Sequence, residues 1–173
     1  IMSSGDEDAQ YNYQVNSDDL LNIQYTSGTT GFPKGCMQSQ KFWIMAGCIA
    51  ALRNKGIKSV LADAPFFYFD NHYMVIMGLY SGMTVHVSEG MSVSRFLDWI
   101  DNHQIELAYF PTPLLETLPS PRDSATSLKK FIGFALNAEM TRLVEERFNV
   151  LTRDSFGMTE VGVGLLVPDT VNS

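Results

Sequence analysis

The sequence predicts an α/β fold with a mostly parallel sheet flanked by helices. Short apolar runs that read as buried strands alternate about five times with segments of helical spacing. In the clearest helix, Val93, Phe96, Leu97 and Ile100 stand at positions i, i+3, i+4 and i+7. Ligands of parallel sheets gather beyond the carboxyl ends of the strands. We therefore expect one shared edge for the loops that follow Thr26, Ala62, Phe110, Leu136 and Arg153.

The individual elements follow from apolar runs and the turn residues between them. Strands are predicted at 20–26, 59–62, 83–87, 105–110 and 130–136, from 150 onwards, and at 162–167. Helices are predicted at 39–53, 71–80, 93–102 and 140–148, and a short helix followed by a loop within 113–127. Residues 1–19 are polar and acidic and are expected to form an N-terminal strap, so that the folded unit is 20–173.

Composition and charge exclude several classes of protein. With 173 residues, of which 45% are hydrophobic, the chain is long and apolar enough for a packed core. Its net charge of −7 opposes binding to a nucleic-acid backbone. The longest apolar run, 42–52, is far shorter than the roughly 20 residues of a membrane span. No signal-peptide pattern is present, and Cys36 and Cys48 are too few for a disulfide framework, so we expect a cytoplasmic protein.

A loop dense in Gly, Ser and Thr, residues 27–35, follows the first strand. Its glycines allow consecutive backbone N–H groups to face an anion, its hydroxyls add donors, and Lys34 adds positive charge. The following helix is expected to point its N-terminus at the same anion. Pro33 stands where a Walker A loop needs its second glycine, so this is a different loop. The composition predicts a phosphate cradle, with a flexible connector as the alternative.

The segment from Tyr25 to Gly35 resembles the signature loop of the adenylate-forming (AMP-binding) superfamily. That superfamily contains acyl-CoA synthetases, the adenylation domains of peptide synthetases and the beetle luciferases. Its loop grips the β- and γ-phosphates of ATP. The resemblance thus implies ATP contacts from Thr26, Ser27, Gly28, Thr29, Thr30, Gly31, Lys34 and Gly35.

A second segment, residues 155–160, resembles the Tyr-Gly-x-Thr-Glu motif of the same superfamily, with Phe156 in place of Tyr. By this resemblance the Phe156 ring lies against adenine, the Thr159 hydroxyl binds the α-phosphate and Glu160 holds Mg²⁺. A carboxylate oxygen is the ligand type that this hard cation prefers. The candidate catalytic residues are Thr159 and Glu160, and the motif's other nucleotide-binding residues are Ser155, Phe156, Gly157 and Met158.

Two weaker correspondences concern the acid pocket. Residues 64–69 resemble a Pro-x-Phe-His segment that borders this pocket, with Tyr68 in place of His, and plain aromatic packing is the alternative. Residues 133–139 stand where the family has a Gly-Gly-Ala/Glu-Pro-Leu stretch, but they are one residue short and lack the Pro. The resemblance implies nucleotide contacts from Ala135 and Asn137 and an acid pocket formed by Tyr68, Phe69, Gly133 and Met158.

The resemblance implies an acid–CoA ligase that uses ATP, Mg²⁺ and coenzyme A. Such an enzyme forms an acyl-adenylate and passes the acyl group to a thiol, and the aromatic residues favour a fatty or aryl acid. The similarity covers most of residues 18–167, so 20–173 is expected to be a partial AMP-binding domain. The family's Thr-Gly-Asp, its hinge and the C-terminal domain with the catalytic Lys do not occur in this sequence. We therefore expect an active parent protein and an inactive isolated chain.

Two other functions remain open at this point. A peptide-synthetase-type adenylation domain would need an acidic residue for the substrate's ammonium group, and the aromatic segment offers Asp70. A non-catalytic nucleotide-binding or scaffold module would carry out neither acyl-adenylate formation nor transfer to a thiol. The identity of the acid, the acceptor, ATP binding by the chain alone and the oligomeric state are not determined by the sequence.

Overall fold

A computed structural model describes residues 13–28 and 31–170. Residues 1–12 of the predicted strap, and Thr29 and Thr30 of the predicted phosphate loop, lie outside the described residues. The elements in chain order are β1 (Leu20–Thr26), β2 (Lys34–Ser39), α1 (Gln40–Arg53), β3 (Ser59–Ala62), α2 (Phe69–Ser81), β4 (Thr84–Val87), α3 (Val93–His103), β5 (Leu107–Tyr109), a 3₁₀ helix (Thr112–Glu116), β6 (Lys130–Phe134), α4 (Ala138–Phe148), β7 (Leu151–Met158) and β8 (Gly162–Leu166).

The main sheet has six strands in the order β4-β3-β5-β6-β7-β8. The pairs from β4 to β7 are parallel, and β8 joins β7 antiparallel. The predicted α/β fold with a mostly parallel sheet is therefore confirmed. Because β3, β5, β6 and β7 run the same way, their carboxyl ends meet at one edge, which is where an open α/β sheet binds its ligands.

Helices cover both faces of this sheet. One hydrophobic cluster contains Trp43 of α1 and Met74 of α2, and the other contains Phe96 of α3 and Phe148 of α4. Val60 and Leu61 are neighbours on β3 but belong to different clusters, because successive strand side chains point to opposite faces. All of these clustered side chains are almost fully buried. The sheet is consequently a rigid base for the residues at its carboxyl edge.

The strand β2 was not predicted, and it corrects two expectations. It pairs antiparallel with β1 in a separate two-stranded sheet, so the loop after Thr26 does not follow a strand of the main sheet. It also separates the loop from α1, which begins at Gln40, so the expected helix N-terminus next to the loop is wrong. The Oγ of Ser39 caps α1 by accepting a hydrogen bond of 3.3 Å from the N–H of Phe42. The sequence did not reveal β2 because its buried side chain is polar Gln38.

The strand β7 is longer than predicted. We expected a loop after Arg153, but β7 continues to Met158 and pairs with β8 from Ser155 onwards. Ser155–Met158 therefore belong to a strand. Among residues 13–28 and 31–170, no helix has the length and apolar character that crossing a membrane requires.

Candidate active site

A cleft of about 240 Å³ opens at the carboxyl edge of the main sheet. It lies between the start of α2, the end of β6 and the turn that joins β7 to β8. The residues that line it are Tyr68, Phe69, Asp70, Phe134, Gly157, Met158, Thr159, Gly162 and Val163. The structure thus brings together Tyr68 and Phe69 of the aromatic segment with Gly157, Met158 and Thr159 of the second motif.

The second motif is held by a close approach of two backbones. A Cβ at Gly157 would lie 2.8 Å from the carbonyl oxygen of Gly162 on β8, so only glycine fits there. The carbonyl of Met158 accepts a hydrogen bond of 3.1 Å from the N–H of Val161, which closes the turn. Thr159 is half-buried in this turn and Glu160 is exposed at its tip. The hydroxyl and the carboxylate that the sequence singled out are therefore next to the cleft.

Ser155 and Phe156 point to opposite sides of β7. Ser155 is buried, and its Oγ donates a hydrogen bond of 2.9 Å to the carbonyl oxygen of Gly133 on β6. The Phe156 ring is 57% exposed and does not line the cleft. Ser155 thus fixes the spacing of the two strands, while Phe156 offers a flat apolar surface to a ligand outside the cleft.

The predicted phosphate loop lies at the end of the β1–β2 hairpin. Thr26 and Lys34 pair with each other across its base. Gly28 has φ of +63° and Gly31 has φ of +128°, a backbone region that favours glycine. Lys34 is exposed and forms no salt bridge with a residue that the structure describes. Its ammonium group is available to an anion bound at the loop.

The hairpin is joined to the cleft by buried amide side chains that the sequence did not single out. The Nε2 of Gln38 donates a hydrogen bond of 2.7 Å to the carbonyl oxygen of Thr159. The Nε2 of Gln24 lies 3.1 Å from the Nδ1 of His72 on α2. Both glutamines are at most 5% exposed. These contacts join residues that are far apart in the chain, so the sequence does not show which residues are partners. The two-residue alternation of side chains along a polar strand was the only signal that one polar face is buried.

The segment after β6 has an unusual backbone. Ala135 has φ of +56°, where a side chain causes strain. The N–H of Leu136 donates to the Oδ1 of Asp154 at 3.1 Å. The Oδ1 of Asn137 accepts a hydrogen bond of 2.8 Å from the N–H of Met140 and so caps α4.

Gly133 is buried within β6 and does not line the cleft, whereas its neighbour Phe134 does. Gly133, Ala135 and Asn137 are the predicted site residues of this segment, and none of the three lines the cleft.

Two acidic residues, Asp63 and Asp70, flank the aromatic segment. Asp63 follows β3 and is 4% exposed, and burial, together with the charge of Asp70, raises its pKa to about 6. Asp70 lies in the first turn of α2 and lines the cleft, and burial raises its pKa as well. Neither carboxyl forms a salt bridge within the described part of the chain. Asp63 is not among the predicted site residues, although a carboxylate directly after a predicted strand is a usable signal.

The described residues offer isolated metal ligands and not a cluster that would coordinate a metal ion by itself. No group of three or more His, Cys, Asp or Glu side chains within 13–28 and 31–170 is arranged to hold a metal ion. Mg²⁺ keeps several waters and is bound through one or two carboxylates and substrate phosphates. An exposed Glu160 on the turn that Gln38 ties to the hairpin fits this kind of ion.

Comparison with known proteins identifies relatives over nearly the whole chain. The model of the family described as AMP-binding enzyme matches residues 2–173. A 4-coumarate–CoA ligase 3 of Oryza sativa subsp. japonica is 26% identical over an alignment of 170 positions, which covers 90% of this chain and 31% of the relative. An acetyl-coenzyme A synthetase of Xanthobacter autotrophicus is 30% identical over an alignment of 178 positions, which covers 89% of this chain and 27% of the relative.

The fold is also shared with a solved structure. The O-succinylbenzoate coenzyme A synthetase of Bacillus subtilis, solved in complex with ATP and magnesium ion, superposes with a TM-score of 0.81 at 24% identity. This match covers 97% of our chain and 36% of the other. The chain therefore spans less than a third of the length of the two curated relatives and little more than a third of this structure.

Proposed function

The chain belongs to the family of AMP-binding enzymes, and from this membership we propose that its parent protein is an acid–CoA ligase. In this reaction a carboxylate oxygen attacks the α-phosphorus of ATP, and pyrophosphate leaves. The thiol of coenzyme A then attacks the acyl carbon, and AMP leaves. The observation that carries the proposal is the family match over residues 2–173. The hydrogen bond from Gln38 to Thr159 supports it, because this bond holds the predicted phosphate-loop hairpin next to the second motif.

The triphosphate is proposed to bind at the hairpin loop. The backbone N–H groups around Gly28 and Gly31 and the hydroxyls of Ser27 and of Thr29 and Thr30 would donate to the phosphate oxygens. Lys34 at the base of the loop would offset their negative charge.

The rest of the nucleotide is proposed to lie along β7 and the turn after it. The exposed Phe156 ring would stack on adenine, and the Thr159 hydroxyl would donate to the α-phosphate. Ser155, Gly157, Ala135 and Asn137 complete the proposed nucleotide site. Mg²⁺, held by Glu160 together with waters and phosphate oxygens, would neutralise charge on the departing pyrophosphate.

The acid is proposed to enter the cleft. Tyr68, Phe69 and Met158 line it with apolar surface, which suits a fatty or aryl acyl group. The resemblance also assigns Gly133 to the acid pocket, and its neighbour Phe134 is the residue of β6 that lines the cleft.

Isothermal titration of the chain with ATP and Mg²⁺ tests the nucleotide site. We expect Thr159→Ala to weaken binding about tenfold, since a hydrogen bond to a charged group contributes about 1.5 kcal/mol or more. Thr84→Ala is the matched control, because Thr84 is an exposed threonine on the edge strand β4 and should leave the affinity unchanged. No heat of binding, or equal affinity of Thr159→Ala and wild type, would instead favour a scaffold module.

Turnover is proposed to need the parent protein. By the resemblance, the family's catalytic lysine belongs to a C-terminal domain, and Lys34 lies at the base of the predicted phosphate loop. We expect pyrophosphate release from ATP and an acid by the parent protein and not by the 173 residues alone. Release by the isolated chain at a comparable rate would contradict this.

A second candidate is an adenylation domain for an acid that carries an ammonium group. It is favoured by Asp70, a carboxyl that lines the cleft beside aromatic side chains and forms no salt bridge with the described residues. Burying a carboxylate is costly unless a cation pairs with it. An ammonium group on the substrate would supply that cation.

Exchange of pyrophosphate into ATP by the parent protein separates the two candidates. The assay compares fatty and aryl acids with amino acids, in wild type and in Asp70→Asn. Activity with an aryl or fatty acid that survives Asp70→Asn supports the first candidate. Activity with an amino acid that falls at least tenfold in Asp70→Asn supports the second.

A further inference from the structure

The segment that follows β8 is held by three basic side chains from other elements. The Nζ of Lys130, on β6, donates to both carboxylate oxygens of Asp169, at 2.9 and 3.0 Å. The Nη2 of Arg153, on β7, donates to the backbone carbonyl oxygen of Asp169 at 2.9 Å. The Nη2 of Arg53, at the end of α1, donates to the carbonyl oxygen of Val167 at 2.7 Å. We call the three basic residues and Asp169 the β8 clamp.

The clamp contains buried charges. The side chains of Lys130 and Arg153 are at most 8% exposed. Removing charged groups from water is costly, so an apolar pair of similar size would stabilise the fold about as well. The best-attested role of a buried ion pair is to select one alignment of two segments over another. The clamp therefore draws attention to the alignment of β8 on β7.

The ladder between β7 and β8 is irregular beside the second motif. Phe156 of β7 pairs with Leu165 of β8, whereas the next residue of β7, Gly157, pairs with Val163. Gly164 is therefore an extra residue on β8, which makes a β-bulge. These exposed, glycine-rich strand ends specify their register only weakly. A regular ladder would instead pair Phe156 with Gly164, and every later residue of β8 would move by one position along β7.

The clamp fits the bulged ladder. In this ladder the N–H of Val167 donates to the carbonyl oxygen of Asp154 at 3.2 Å, and Asp169 reaches both Lys130 and Arg153. A move of one position displaces a strand by about 3.3 Å, which is enough to break these hydrogen bonds. We propose that the β8 clamp selects the bulged ladder over the regular one.

The choice of ladder decides which residue lies next to the Phe156 ring. Residues that pair directly on antiparallel strands share a face, and Phe156 and Leu165 are both more than half exposed. Together they offer a wider apolar surface than the ring alone. In the regular ladder Gly164 would take this place and offer no side chain. The clamp residues are thus positioning residues for the surface on which adenine packs, a consequence that rests on the proposed function, whereas the register itself does not.

Disulfide formation in the parent protein measures the register. One pair of cysteines, Phe156→Cys with Leu165→Cys, reports the bulged ladder, and Phe156→Cys with Gly164→Cys reports the regular one. Directly paired residues lie within the Cα–Cα range of a disulfide, and a Cβ at Gly164 meets no atom closer than 3.7 Å. Mass spectrometry after equilibration in a glutathione buffer gives the extent of each link. We expect the 156–165 link to form about tenfold more readily than the 156–164 link.

The clamp is then replaced by an apolar pair, Lys130→Met with Asp169→Leu. Because such a replacement is often neutral for stability, we expect this variant to fold and its ratio of the two links to fall to about one. Arg142→Met with Glu146→Leu is the matched control, since it removes an exposed ion pair of α4 and should leave the ratio unchanged. Asp169→Asn keeps the size of the side chain and should lower the ratio in the same direction.

Each result of this experiment decides the proposal. A ratio that falls in both clamp variants and not in the control supports it. An unchanged ratio in Asp169→Asn, an equal fall in the control, or equal formation of the two links with the clamp intact would overturn it. If the apolar variant does not fold, Asp169→Asn decides alone. The readout requires neither ATP nor an acid, so it can fail while the ligase activity is found, and the reverse also holds.

Discussion

The side-chain amide of Gln38 donates a hydrogen bond of 2.7 Å to the backbone carbonyl oxygen of Thr159. Gln38 is 2% exposed, so this bond is shielded from water. It joins the hairpin that carries the predicted phosphate loop to the turn that carries Thr159 and Glu160. Two segments that are far apart in the sequence thereby lie next to each other.

Replacement of Gln38 tests this connection. Gln38→Met keeps the length of the side chain but leaves the Thr159 carbonyl without its donor, so we expect a loss of about 1–2 kcal/mol in the free energy of unfolding. We also expect several-fold weaker ATP binding. Urea denaturation and titration calorimetry measure the two effects. Gln40→Met is the control, since the half-exposed Gln40 side chain makes no hydrogen bond with the residues the structure describes. Equal stability of the two variants would argue against a structural role for the bond.

Gly157→Ala should disturb the β7–β8 pair. The added Cβ would lie 2.8 Å from the carbonyl oxygen of Gly162, and backbone has little freedom to move away. Overpacking of this kind costs about 1–3 kcal/mol. Gly164→Ala on β8 is the matched control, because its Cβ would meet no atom closer than 3.7 Å. Thermal unfolding should show a lower midpoint for Gly157→Ala alone, and similar midpoints for both variants would be evidence against the close approach.

Ala135→Gly should stabilise the chain. Ala135 has φ of +56°, where an L-residue with a Cβ pays about 1–2 kcal/mol and glycine does not. The greater freedom of glycine in the unfolded state offsets part of this gain, which leaves about 0.5–1 kcal/mol. Ala51→Gly, within α1, should instead destabilise by about 1 kcal/mol. Denaturant titration compares the two variants, and a loss of stability in Ala135→Gly would contradict the assigned backbone conformation.

The buried carboxyl of Asp63 should make stability depend on pH. Its pKa is raised from 3.8 to about 6 by burial, so between pH 4 and 6 the folded chain retains a proton that the unfolded chain releases. Stability therefore falls as the pH rises through this window, and the loss persists above it. Each unit of pKa shift corresponds to about 1.4 kcal/mol, so the total loss in the free energy of unfolding is about 2–3 kcal/mol.

Asp63→Asn provides the comparison for this effect, because the amide does not titrate. The difference in unfolding free energy between the variant and wild type should shift in favour of the variant from pH 4 to pH 7. Urea denaturation at several pH values measures it. Parallel curves for the two proteins would show that Asp63 titrates normally.

Much of the architecture could be predicted from local patterns. The apolar positions of α3 recur at the helical period, and the strand runs end at turn residues, so the type and order of the elements other than β2 followed from neighbours in the sequence. The family followed from two short motifs, and the match over residues 2–173 confirms it. These properties depend on a few consecutive residues, which is why the sequence alone was sufficient.

The sequence by itself thus determined the α/β order, the mostly parallel sheet and the AMP-binding family. Only the tertiary structure decided that β1 and β2 form a separate hairpin, that Gln38 binds Thr159, and that burial raises the pKa of Asp63 and of Asp70. The physical reason is the range of the interactions involved. Helical period and turn residues act over a few positions, whereas a buried amide or carboxyl is placed by the packing of segments that the sequence keeps far apart.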